Sequence, residues 1–214
     1  MSAEFWAAIA GAVVGSMSAG FITWFLQKNQ DDRQTKERNQ GLARSLIFKL
    51  MRIYSDMRGF KNHIDECVEN GKRDGLESGW RSVRAIGNLP DKIIFSADEM
   101  AYLLSLGDLE LFEKVLSLDV IHSSTIRIFE LYKERRLALT DMLSASMNGL
   151  IGTTQLTDAQ LAFFSPKSAE LDLLVVDISS RVDMDAKDSK EALEQASIAV
   201  RATLGPKFQI EFKE

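Results

Sequence analysis

The 214 residues carry 26 Lys and Arg against 31 Asp and Glu, a net charge of −5, with 45% apolar residues and a mean hydropathy of −0.09. That balance argues against a nucleic-acid partner, which asks for a basic surface. A lone cysteine, Cys67, excludes an internal disulfide and fits a reducing compartment, while three prolines among abundant Leu, Ala, Glu, Lys and Ser favour helix over sheet.

The first element is the uncharged run Phe5 to Leu26, FWAAIAGAVVGSMSAGFITWFL. About 20 residues at 1.5 Å per residue cross a hydrocarbon core of roughly 30 Å, so this run predicts a transmembrane helix. Trp6 and Trp24 stand about 27 Å apart on such a helix and suit the two membrane interfaces. A cleaved signal peptide fits poorly, because Met1 to Glu4 supply an acid rather than a basic n-region and the small Ser18-Ala19-Gly20 stretch lies inside the run. The run is expected to stay as a signal anchor. Lys28, Arg33, Lys36, Arg38 and Arg44 follow it, so the positive-inside rule puts the N-terminus outside and the C-terminal body in the cytoplasm, at an inner or plasma membrane.

Two rows of small residues run along this segment. Gly11, Gly15 and Ala19 form one, with the GxxxG spacing of close-packed membrane helices, and Ala8, Ala12, Ser16 and Gly20 form the other. A lone anchor needs only hydrophobicity, so the rows predict packing against a second copy or a multispan partner as well as lipid.

Gln27 to Gln40, QKNQDDRQTKERNQ, has no apolar residue, Gly or Pro and is expected to form a solvated helical stalk. The predicted divisions are therefore an anchor over 1–27, a stalk over 28–41 and a cytoplasmic helical domain over 42–214. From Leu42 the chain turns amphipathic. Leu42, Leu46, Leu50, Ile53, Met57, Phe60, Ile64 and Cys67 recur at spacings of 3 and 4, widened by Ala43, Ile47, Met51 and Tyr54, which predicts a bundle helix ending near Val68.

Further helices follow from their caps. Leu76 to Gly87 reads as a helix stopped by Asn88-Leu89-Pro90. Ser96-Ala-Asp-Glu99 is a capping box for a short helix ending at Gly107, and Asp108 caps the next, with Phe112, Val115 and Leu116 expected to face inward. Asp119 to Asn148 predicts a long helix with Ile121, Ile128, Phe129, Tyr132, Leu139, Met142 and Leu143 as core positions, bracketed by Gly149 and Gly152. Thr157-Asp-Ala-Gln160 is another capping box, with Leu156 and Leu161 as its hydrophobic staple. Ser165-Pro166 reads as N-cap and first residue of a helix to Met184, and Asp188 to Glu191 as the cap of a last helix through Leu204. The alternation of Phe208, Ile210 and Phe212 suggests a short extended C-terminal segment. The fold class expected is mostly α: an anchor helix, a stalk and a multi-helix bundle.

Chemical signals are sparse. His63 and His122 lack a second His or Cys at helical spacing, so no metal site and no cofactor are expected, and no phosphate-binding or hydrolase motif occurs. Arg58 and His63 match the R-x4-H spacing of HEPN-type ribonucleases, a resemblance that would imply cleavage of an RNA backbone. On one helix these two positions lie some 140° apart, and they would act together only across paired protomers. The sequence favours a non-enzymatic scaffold that recruits a cytoplasmic protein. The alternative is an oligomeric pore of the kind found in bacterial defence, and a HEPN-like ribonuclease ranks third.

Overall fold

The computed structural model describes the backbone of residues 3–76, 79–141, 146–148, 151–153 and 156–205, with side chains at 23–24, 26–76, 79–141 and 156–205. It is mostly helical. The elements are α1 (Ala3–Arg73), α2 (Gly79–Ser82), α3 (Ala97–Ser105), α4 (Leu109–Thr140), the strands β1 (Ser146–Asn148) and β2 (Ile151–Thr153), α5 (Asp158–Ala199) and α6 (Arg201–Leu204).

The segments expected to be anchor, stalk and first bundle helix form one element. The 71-residue α1 runs without a break through the apolar run and the polar stalk into the bundle. Its seam is the one the spacing predicts: Leu46, Leu50, Ile53, Met57, Phe60, Ile64 and Cys67 are all buried, with Ala43 and Ile47 beside them. Met51, expected to widen the stripe, is exposed. The helix also outlasts Val68, reaching Arg73. At Gly71 α2 crosses so closely that an added Cβ would stand 2.2 Å from Ser82 Cβ, and Gly75 at φ +70° then turns the chain. Among the described residues no helix is long and apolar enough to cross a membrane. The predicted span lies largely outside those residues, since of Phe5 to Leu26 only Thr23, Trp24 and Leu26 have described side chains.

Three long helices make the bundle. α5, with α6 following it, runs antiparallel to α1 and α4, as Lys61–Asp183 and the α6 contact Gln40–Thr203 on one side and Lys114–Glu191 and Arg135–Glu170 on the other require. α4 runs parallel to α1, with Asp56 beside His122 and Phe60 stacked on Phe129 at 4.6 Å. Leu103, Leu111, Val115, Leu118, Tyr132, Leu171, Ile178 and Leu193 fill the space between.

Several expected boundaries move. The helix expected over Leu76–Gly87 shrinks to the four residues of α2, and side chains meet the carbonyls within and just beyond it: those of Trp80 and Val83 accept from Tyr132 and that of Arg84 from His63. The break expected before Asp119 is absent, and α4 is continuous from its Asp108 cap. It stops eight residues short of Asn148, at Thr140, whose hydroxyl bonds the Arg136 and Leu137 carbonyls. Beyond it Ser146–Asn148 pairs antiparallel with Ile151–Thr153 instead of extending the helix, with Met147 opposite Gly152. Met142 and Leu143 lie outside the described residues.

The C-terminal helices merge too. α5 starts at the Thr157 capping box and passes through Pro166, so Ser165-Pro166 begins nothing. The proline removes one ladder bond and costs about 3 kcal/mol in an isolated helix. Packing offsets this, with Phe164 edge-on to Trp80 at 6.0 Å and Leu171 fully buried. Asp188 to Glu191 likewise lies mid-helix, where Ser189 is buried and its hydroxyl bonds the Ala186 carbonyl. Of the expected staple pair, Leu156 is half-buried and Leu161 exposed. Gly205 at φ +101° ends α6, and the expected extended segment around Phe208 to Phe212 falls outside the described residues.

Candidate functional site

Side-chain hydrogen bonds gather where the chain between α2 and α3 passes α1 and α4. Four side chains pin it. Tyr132 Oη donates to the Val83 carbonyl at 2.6 Å and reaches that of Trp80 at 3.2 Å. His63 Nε2 meets the Arg84 carbonyl at 2.8 Å, Lys133 Nζ donates to Gly87 O and Lys49 Nζ to Ile94 O. Burial of the Tyr132 phenol pushes its pKa up to about 12, so it remains a donor at every ordinary pH. Tyr132→Phe, which leaves two buried carbonyls unmet, should cost about 1–3 kcal/mol in urea unfolding and loosen amide-exchange protection over 80–86 first.

Beneath this segment opens a groove of about 270 Å³ lined by Ser55, Asp56, Gly59, Phe60, His63, Ile86 and Pro90. Asp56 Oδ2 lies 3.0 Å from Nε2 of His122, which is 0% exposed and whose Nδ1 has no hydrogen-bond partner among the described residues. A buried imidazole thus orients a carboxylate at the groove edge. Such a carboxylate can hold a cationic group.

The R-x4-H pair is not assembled in this groove. His63 Nε2 is committed to the Arg84 carbonyl, with Cys67 Sγ at 3.7 Å, and exposed Arg58 does not line the groove. Of the predicted interface residues, Trp24 is exposed with the Lys28 ammonium 5.3 Å from its ring. Trp6, Ala8, Gly11, Ala12, Gly15, Ser16, Ala19 and Gly20 sit on the α1 backbone, and their side chains lie outside the described residues. Among the described residues no group of three or more His, Cys, Asp or Glu could hold a metal.

Two carboxyls, Glu99 and Asp185, are buried as well. Burial works against Glu99, yet hydrogen bonds from Lys49 at 2.6 Å, Ser45 at 2.5 Å and the Ser96 backbone outweigh it and hold the carboxyl below its ordinary value. Asp185 goes the other way, raised by burial although the Thr125 hydroxyl donates to it at 2.9 Å.

Among the apolar side chains the bundle exposes are two groups, on α1 and α4, that periodicity did not isolate. On α1, Phe48 (63% exposed) and Met51 stand away from the core, with exposed Arg44 and Arg52 around them. On α4, Leu109, Leu116 (51%) and Val120 form an outward row with half-buried Phe112, so Leu116 does not face inward as its spacing from Val115 suggested. Glu113 and Asp119 flank that row. No family model, no curated protein and no solved structure matches this chain.

Proposed function

We propose that the chain is a single-span membrane protein that presents a cytoplasmic helical bundle on a rigid rod, as an interaction platform and not as an enzyme. The supporting observation is the unbroken α1 from Ala3 to Arg73. A helix that leaves the apolar run and enters the core without a hinge fixes both the height and the rotation of the bundle. The 14 stalk residues Gln27–Gln40 would set it about 21 Å off the bilayer. A flexible tether would need Gly, Ser or Pro, and the stalk has none. Small-residue rows at Gly11, Gly15 and Ala19 and at Ala8, Ala12, Ser16 and Gly20 would pack the span against a second copy or a membrane partner.

An oligomeric pore is the competing reading, favoured by the two exposed apolar faces, which give copies a means of contact. Loss of membrane potential on overexpression would support the pore. The platform is tested by alkaline carbonate extraction and by protease treatment of intact cells. The full chain is expected in the membrane pellet with residues 40–214 protected. Release into the supernatant, or digestion of the body from outside, overturns the reading.

A further inference from the structure

The outward faces of α1 and α4 are opposite in charge and alike in hydrophobicity. Around Phe48 and Met51 stand Arg44 and Arg52, neither in an ion pair among the described residues. Around Leu109, Phe112, Leu116 and Val120 stand Glu113 and Asp119, equally without an ion pair there. Each face lies on the far side of its own helix from the core, so the two cannot meet within one copy. In a chain of net charge −5, a free arginine pair framing two apolar side chains is a local reversal of sign. Its complement is present on the same molecule.

We propose that these faces dock copy to copy, the α1 face of one chain on the α4 face of the next. Such a contact is heterologous and propagates into a ring or an open row. Height supports it. The Asp56–His122 and Phe60–Phe129 pairs differ by 66 and 69 in residue number, and α1 and α4 are parallel. Leu116 therefore stands level with positions 47 to 50 of α1, beside Phe48 and Met51. Copies anchored in one bilayer on rods of equal length can only touch through faces at equal height, and this step rests on the membrane-anchored reading above. A symmetric α1–α1 contact would instead bring Arg44 and Arg52 against their own copies, a like-charge meeting.

The test is oxidative cross-linking of the full chain in native membranes, with buried Cys67 retained. Met51→Cys and Leu116→Cys in one chain should give a disulfide ladder extending beyond the dimer. Either substitution alone should give none, and the two single variants co-expressed should stop at a dimer. Arg44→Glu with Arg52→Glu should cut the ladder about tenfold, and adding Glu113→Arg with Asp119→Arg should restore it. Dimers from Met51→Cys alone, no ladder from the double-cysteine chain, or a ladder indifferent to charge reversal each overturn the proposal. A ladder found in the soluble fraction would instead sink the membrane anchor while leaving the contact intact.

Discussion

Phe129→Ala is expected to destabilise the bundle by about 3–5 kcal/mol, the range for emptying a packed aromatic site. Phe129 is 2% exposed, and its ring stacks on Phe60 at 4.6 Å, joining α4 to α1 where α5 otherwise carries most of the packing. Ala would remove the stack, worth about 1 kcal/mol beyond its buried area, and leave a void that the helices on three sides cannot close. Against a total stability of about 5–15 kcal/mol, a large share of the fold would be lost. Urea unfolding followed by circular dichroism measures it. The control is Phe48→Ala, at a residue 63% exposed, which should change stability by less than about 0.5 kcal/mol. Equal effects at both sites would refute the packing of α1 on α4 described above.

Phe129 and Phe48 also show where the sequence is legible. Phe129 was readable as core from its place among Ile128 and Tyr132. Phe48 sits one position past Ile47, and no local feature marks it as one half of a complementary pair whose other half lies on α4. Caps were legible for a related reason. The capping boxes at Ser96 and Thr157 and the Asp108 cap all form, since each is settled within four residues. The cap signals at Ser165-Pro166 and Asp188 failed because a helix pays nucleation once. With α5 already under way, passing through a weak stop is easier than starting again.

The features that local sequence does not carry rest on non-local contacts. His122 looked isolated because Asp56 is 66 residues away, and α2 looked longer because nothing near Val83 announces that Tyr132 will take its carbonyl. Glu99 was half readable. Its role in the capping box is written in the spacing from Ser96, whereas its burial under Lys49 and Ser45, on a different helix, is not.

Glu99→Gln is accordingly expected to destabilise the bundle by about 2 kcal/mol at pH 7, with the loss shrinking as pH falls below the ordinary carboxylate range. Gln can keep the Ser96 backbone bond through its one carbonyl oxygen and turn its amide N–H toward the Ser45 hydroxyl, so what chiefly disappears is the charge opposite Lys49. A charge-assisted bond is worth about 1.5–3 kcal/mol, and Lys49, with 26% of its side chain exposed, can turn back toward water and soften the penalty. The sign follows from the direction of the shift. A carboxyl held below its ordinary value of 4.5 in the fold stabilises fully above that value, and the stabilisation is lost as pH falls through its depressed folded value. Asp185, raised by burial, pulls the other way, since its ionised form disfavours the fold as pH rises above 3.8. Both chains share that contribution, so the difference between Glu99→Gln and the parent isolates Glu99. Chemical denaturation at a series of pH values from 3 to 7 gives the curve. A constant gap across that range would assign the loss to the capping geometry, because only the Lys49 ion pair titrates away.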